Sequence, residues 1–235
     1  MEEAQTPGIS AVGSIREGFS QLLRKPFRGI TLLSILIALV LESLPDQGDT
    51  ATLLAALLLL VLSLYLQITM TLAAAEDAPS ESVDEWLKQA LARRCWWRFA
   101  AVSVLVMLAV IVSGVVGLVV GAFIVGGILA LTDPAVVLEN RAPAEAVARS
   151  AQLSKPARRP LAIVFGLLVL IPGVSVQVGT MVWDLEALFG PAWIAVPLMV
   201  MVLGLAGTIA LTRAFMALGG SVLPTRPRVS VENRS

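Results

Sequence analysis

Ser63, Gln67 and Thr71 recur at intervals of four, so on a helix they share one face, with Tyr65 nearby. Gln177, just beyond Pro172 and Gly173, is a polar group of the same kind in a second apolar stretch. Hydroxyls and amides so placed can line a polar path through a membrane. They can also tie helices together by hydrogen bonds of about 1 kcal/mol each, which is the expected role. Asp133, ahead of Pro134, is the ionisable group of most interest. A carboxylate inside a bilayer marks an ion or proton path by default. An Asp-Pro pair also marks a turn, and water at the membrane surface would solvate it, so the hydrated turn is the expected reading.

Three clusters of bases stand apart from these: Arg24, Lys25 and Arg28; Arg93, Arg94 and Arg98; Lys155, Arg158 and Arg159. Beside an anionic surface each base contributes about 1 kcal/mol, screened beyond roughly 8 Å at physiological salt. The clusters are therefore candidate contacts for lipid headgroups or an acidic partner, as well as orientation signals. Other chemistry is excluded by composition. The chain has no histidine and one cysteine, Cys95. That removes disulfides within the chain, the usual zinc sites and imidazole catalysis, and leaves Cys95 as a reduced thiol. There is no glycine-rich phosphate loop carrying lysine, no carboxylate pair at catalytic spacing and no metal-ligand cluster. No enzyme activity and no cofactor are expected.

The elements that must position these residues are apolar helices. Of 235 residues 57% are hydrophobic and only 14% charged, too few charges to cover a water-soluble surface. A span needs about 17–25 apolar residues. Stretches 27–44, 52–75, 161–183 and 193–218 qualify, the last containing Pro197 and Arg213, which is expected to snorkel to the inner surface. Stretch 99–132 is too long for one span, roughly 51 Å as a straight helix against a core of about 30 Å. Ser113, Gly114, Gly117 and Gly121 in its middle fit a tight turn. The 17 Lys and Arg residues decide the count. They fall before the first span, between the second and third, between 139 and 160, and after the last span begins to end; 42–50 and 184–191 carry acids alone. Two crossings over 99–132 put every base on one face, the cytoplasmic one. One crossing would strand the five bases of 139–160 outside.

Each pair of spans is introduced by a short amphipathic helix. Ser14-Ile15-Arg16-Glu17 and Ser82-Val83-Asp84-Glu85 read as capping boxes. Val83, Trp86, Leu87, Ala90 and Leu91 then form one apolar face, and Ile15, Phe19, Leu22 and Leu23 a narrower one. Pro143 suits the first turn of a third such helix. The basic elbow of 21–28 resembles that of 152–158, Lys-Pro breaking the helix while the cations hold headgroups. Trp86, Trp96, Trp97, Trp183 and Trp193 fall at expected interfaces. Gly117-x-x-x-Gly121 and Gly204-x-x-x-Thr208 are small-residue faces for close helix approach. The acidic start, with the first apolar run beginning only at Gly29, gives no expectation of a cleaved signal.

Residues 137–153 carry a recognisable pattern: Glu139, then Ala146, Arg149, Ser150 and Leu153. It resembles the prokaryotic superfamily that includes the membrane domain of glycerophosphoryl diester phosphodiesterases and related six-span proteins. There an acidic residue ends span four and a small helix with Ala, Arg-Ser and Leu leads to span five. The family often has tryptophan after the serine, where this chain has Ala151. The resemblance implies an accessory or anchoring module, because the phosphodiesterase active site belongs to a separate soluble domain that this sequence does not contain.

The expected fold is an all-α integral membrane protein, one polytopic domain over 1–222 with six transmembrane helices as three hairpins. The units are an N-terminal interfacial helix and elbow (1–28), hairpin 1 (27–75), an interfacial helix with hairpin 2 (80–138), and an interfacial helix with hairpin 3 (139–218). Residues 223–235 are expected to be a disordered cytoplasmic tail. The expected setting is a bacterial or archaeal cell membrane, with both termini cytoplasmic. The first functional reading is a non-enzymatic accessory, scaffold or lipid-binding module whose partners are membrane lipids, another membrane protein or a second copy, and not nucleic acid. A transporter or channel for a small or lipidic substrate is the second, and an intramembrane enzyme the third.

Overall fold

The computed structural model describes residues 9–43, 50–76, 82–172 and 195–223. Within them the chain is helical, with no strand: α1 (Ala11–Leu22), α2 (Phe27–Glu42), α3 (Thr50–Ala74), α4 (Val83–Arg93), α5 (Trp96–Leu129), α6 (Thr132–Glu139), α7 (Pro143–Leu153), α8 (Arg158–Phe165) and α9 (Ala195–Ala217). α8 runs on through a π-helical turn, Gly166–Leu170, in which the Ile171 amide donates to the Gly166 carbonyl. Pro172 has no amide hydrogen to continue an ordinary ladder, and the widened turn precedes it. Four segments are long and apolar enough to cross a bilayer: Thr50–Ala74, Trp96–Val115, Val120–Glu139 and Ala195–Ala217. The chain is a helical membrane protein. Phe27–Val40 is a shorter apolar helix, and the expected fifth span, 161–183, is described only as far as Pro172.

The 34 residues of α5 do not form a straight rod. A Cβ on Gly121 would lie 2.3 Å from the Ser113 carbonyl oxygen, and one on Gly114 would lie 3.5 Å from the Ala122 Cβ. Eight residues of straight helix cover roughly 12 Å. The path therefore turns back between Ser113 and Gly121. The start of α5 also reaches the cap of α6, Arg98 Nη1 donating to the Asn140 carbonyl at 3.0 Å and to the Asn140 Oδ1 at 3.2 Å.

Packing is uneven along the helices. In α3 the second part is buried (Leu66 and the run from Ile68 to Ala74), while Leu53, Leu54, Leu57 and Leu58 are exposed. In α9 the buried residues run from Leu205 to Phe215. Trp86, Phe27, Phe99, Leu131 and Phe215 are the large side chains buried in the same core. The exposed leucines and valines elsewhere have hydrocarbon as their natural solvent.

Several local expectations are corrected. The cap of α1 is Ser10, whose Oγ accepts from the Gly13 amide, so Ser14 sits inside the helix and not at its cap. Ser82 does cap α4, accepting from the Glu85 amide. α1 buries Gly18, Gln21 and Leu22 and leaves Phe19 and Leu23 exposed. The face is rotated because Gly18 comes against the Ala206 carbonyl of α9, an approach only a residue without a side chain permits. On α4, Trp86 and Ala90 are buried while Leu91 is exposed. Trp86 thus belongs to the core and not to an interfacial belt. Trp96 and Trp97 are exposed as a belt requires; Trp183 and Trp193 lie outside the described residues.

Candidate functional site

α5 ends at Leu129, and Ser150 of α7 holds the break. Its hydroxyl donates to the Ile128 carbonyl at 2.7 Å and accepts from the Leu131 amide at 3.1 Å, replacing ladder bonds lost at the junction. Glu139 fixes the other end of α6. Its side chain is 2% exposed and accepts from Arg141, from Arg149 Nη2 at 3.2 Å and from the Ser221 amide at 3.3 Å. Arg149 also donates to the Gly219 carbonyl, and Leu223 donates its amide to the Leu138 carbonyl. Glu139, Arg149 and Ser150 thus clamp α6 between α7 and the segment following α9.

Clamped in this way, α6 presents Asp133 from its first turn. A carboxylate there is favoured by the positive end of the helix. Asp133 lines a cavity of about 240 Å³ with Gln67, Thr71, Phe99, Phe165 and Thr208, walled elsewhere by apolar side chains of α5, α6, α9 and the π turn. Asp133 Oδ1 is buried and has no hydrogen-bond partner among the described residues. Asp133 as a whole is half-buried and stands inside the first turn of α6, where a hydrated surface turn was expected. By helix rise, Asp133 lies roughly 9 Å inside Glu139 and Gln67 roughly 10 Å inside Ala74.

The other expected residues are placed as follows. Thr71 donates to the Gln67 carbonyl on its own helix, 3.0 Å, so its hydroxyl makes no bond between helices. Thr208 does the same to the Gly204 carbonyl, 3.1 Å. Ser63 is half-buried and not part of the lining. Gln177 lies outside the described residues. Gln67 and Val169 are the exposed members of the lining, and the cavity opens there. Thr208 carried no signal in the sequence beyond its place in a small-residue motif.

The basic clusters divide. Arg24, Lys25, Arg28, Arg94, Lys155, Arg158 and Arg159 are exposed. Arg93 is held inward, donating to the Val137 carbonyl at 2.6 Å and the Leu223 carbonyl at 3.0 Å, and Arg98 binds Asn140. These two join elements of the protein to one another. Burial, opposed by the nearby Arg93 charge, pushes the Cys95 thiol above its usual range, so it is a weak nucleophile as well as a buried one. No group of three or more potential metal ligands occurs among the described residues. Against known protein families, curated proteins and solved structures, the chain finds no match.

Proposed function

We propose that the chain crosses the membrane six times, as three hairpins with both termini cytoplasmic, and that it admits a small molecule to the cavity beneath α6 as a transporter or channel does. Three features support the topology: the turn at Ser113 and Gly121, the Arg98–Asn140 contact, and the distribution of bases. The functional part is carried by one observation: Asp133, with a buried oxygen that has no hydrogen-bond partner among the described residues, belongs to the lining of a largely apolar cavity that also holds Gln67, Thr71 and Thr208. A scaffold has no need of a buried carboxylate, and filling such a site with apolar side chains would cost it nothing. Membership of the phosphodiesterase membrane-domain superfamily is part of the same proposal, since its motif residues Glu139, Arg149 and Ser150 meet at one junction.

A set of single cysteines in a Cys95→Ser background tests this. Thr50→Cys and Gly117→Cys should react with an impermeant thiol reagent from outside intact cells, and Arg94→Cys and Lys155→Cys only after permeabilisation. Thr208→Cys should react with small water-soluble thiol reagents in the folded protein. Labelling of Lys155→Cys from outside would overturn the topology, and an inert Thr208→Cys would overturn the open cavity.

The accessory, lipid-binding reading keeps an observation of its own, the seven exposed bases of the elbows. Replacing Arg24, Lys25 and Arg28 by glutamine should leave the topology intact while reducing co-purified anionic lipid, most at low salt. Equal lipid content by native mass spectrometry would leave these bases as orientation signals.

A further inference from the structure

The two carboxylates of α6 are treated in opposite ways. Glu139 is neutralised from within by Arg141 and Arg149. Asp133, six residues earlier on the same helix, has no arginine or lysine beside it in the cavity lining, and its Oδ1 has no donor among the described residues. A carboxylate in a largely apolar cavity is expensive to keep charged unless a positive group reaches it, and otherwise it takes up a proton.

The other polar groups of the lining point to the same kind of guest. The hydroxyl protons of Thr71 and Thr208 are committed to carbonyls of their own helices, so what both oxygens can offer the cavity is lone pairs. With Asp133, and with the Gln67 amide offering an oxygen as well as an NH2, acceptors outnumber donors in the cavity. Phe99 and Phe165 add aromatic rings, whose faces attract cations within about 6 Å. A bare calcium or magnesium ion would want about six or more oxygens, which walls of Leu129, Val169 and Met201 do not supply. The volume suits one small organic molecule.

We infer that this cavity binds a small organic cation, an ammonium group with an apolar body, with Asp133 as its counter-ion. The inference rests on the proposed open cavity and goes further by assigning the charge of the occupant.

The test uses Thr208→Cys in the full-length Cys95→Ser protein and two methanethiosulfonates of similar size, one bearing trimethylammonium and one sulfonate. Each rate is normalised to the same reagent acting on the unfolded protein. The normalised cation-to-anion ratio should be at least about tenfold, and Asp133→Asn should bring it close to one. A cysteine at exposed Leu53, roughly 21 Å along α3 from Gln67, should show no dependence on Asp133. Independently of any change at Asp133, tetramethylammonium chloride should slow reaction of Thr208→Cys with a neutral reagent, and sodium methanesulfonate should not. Equal normalised rates for the two charges, or equal protection by the two salts, would overturn the cation assignment while leaving the cavity open. Absence of reaction with every reagent would instead remove the open cavity on which it stands.

Discussion

Glu139→Ala should lower the thermal midpoint of the purified protein by roughly 5–10 °C. Removing one member of a buried ion pair costs about 3–5 kcal/mol, because the partner charges stay behind without compensation. Arg149 is 25% exposed and Arg141 39%, so both keep some access to water, and about 2–3 kcal/mol is the better expectation here. For a chain of this size each kcal/mol moves the midpoint by about 2–4 °C. The loss should propagate, because Glu139 Oε1 also receives the Ser221 amide, and Arg149 bridges to the Gly219 carbonyl. The segment after α9 should therefore become sensitive to protease in the variant. Arg141→Ala removes the most exposed partner and should shift the midpoint by only about a quarter as much. Identical shifts for the two variants, with the same proteolysis, would show that Glu139 is no hub.

That hub was half visible in the sequence. The spacing of Glu139, Arg149 and Ser150 stood out as a pattern, but a pattern does not say which atoms meet. The Ser150 hydroxyl bridges a helix break at Ile128 and Leu131, about twenty positions away, where the Asp133-Pro134 pair signals a turn but nothing points to Ser150 as its partner. Spans were legible because hydropathy and charge are sums over many residues. The faces of short helices were only partly so: of the stripe Ile15, Phe19, Leu22 and Leu23, Leu22 is buried, but Phe19 and Leu23 face outward while Gly18 and Gln21 are buried in their place. In a membrane protein apolar residues have two acceptable surroundings, so periodicity loses the contrast that orients helices in water. Asp133 was singled out by type, but its burial depended on the α5–α6 break. Thr71 was expected to bond across helices and instead bonds to Gln67 on its own.

Glycines show the same limit and give the second large effect. Gly117 and Gly121 form one small-xxx-small motif, but their surroundings differ completely. Nothing lies within 4 Å of a Cβ on Gly117, whereas one on Gly121 would meet the Ser113 carbonyl oxygen at 2.3 Å and its carbon at 3.1 Å. Ser113 contributes backbone there, which cannot rotate aside like a side-chain tip. Gly121→Ala should therefore force the two arms of α5 apart and cost about 1–3 kcal/mol, the usual range for overpacking. Gly117→Ala should be neutral or stabilising by up to about 1 kcal/mol, since alanine is the better helix former. Thermal unfolding in one detergent measures both. The structure predicts opposite signs for chemically identical changes four positions apart. Equal effects would mean that the chain does not turn back between Ser113 and Gly121, and a destabilised Gly117→Ala beside an unaffected Gly121→Ala would place the turn elsewhere.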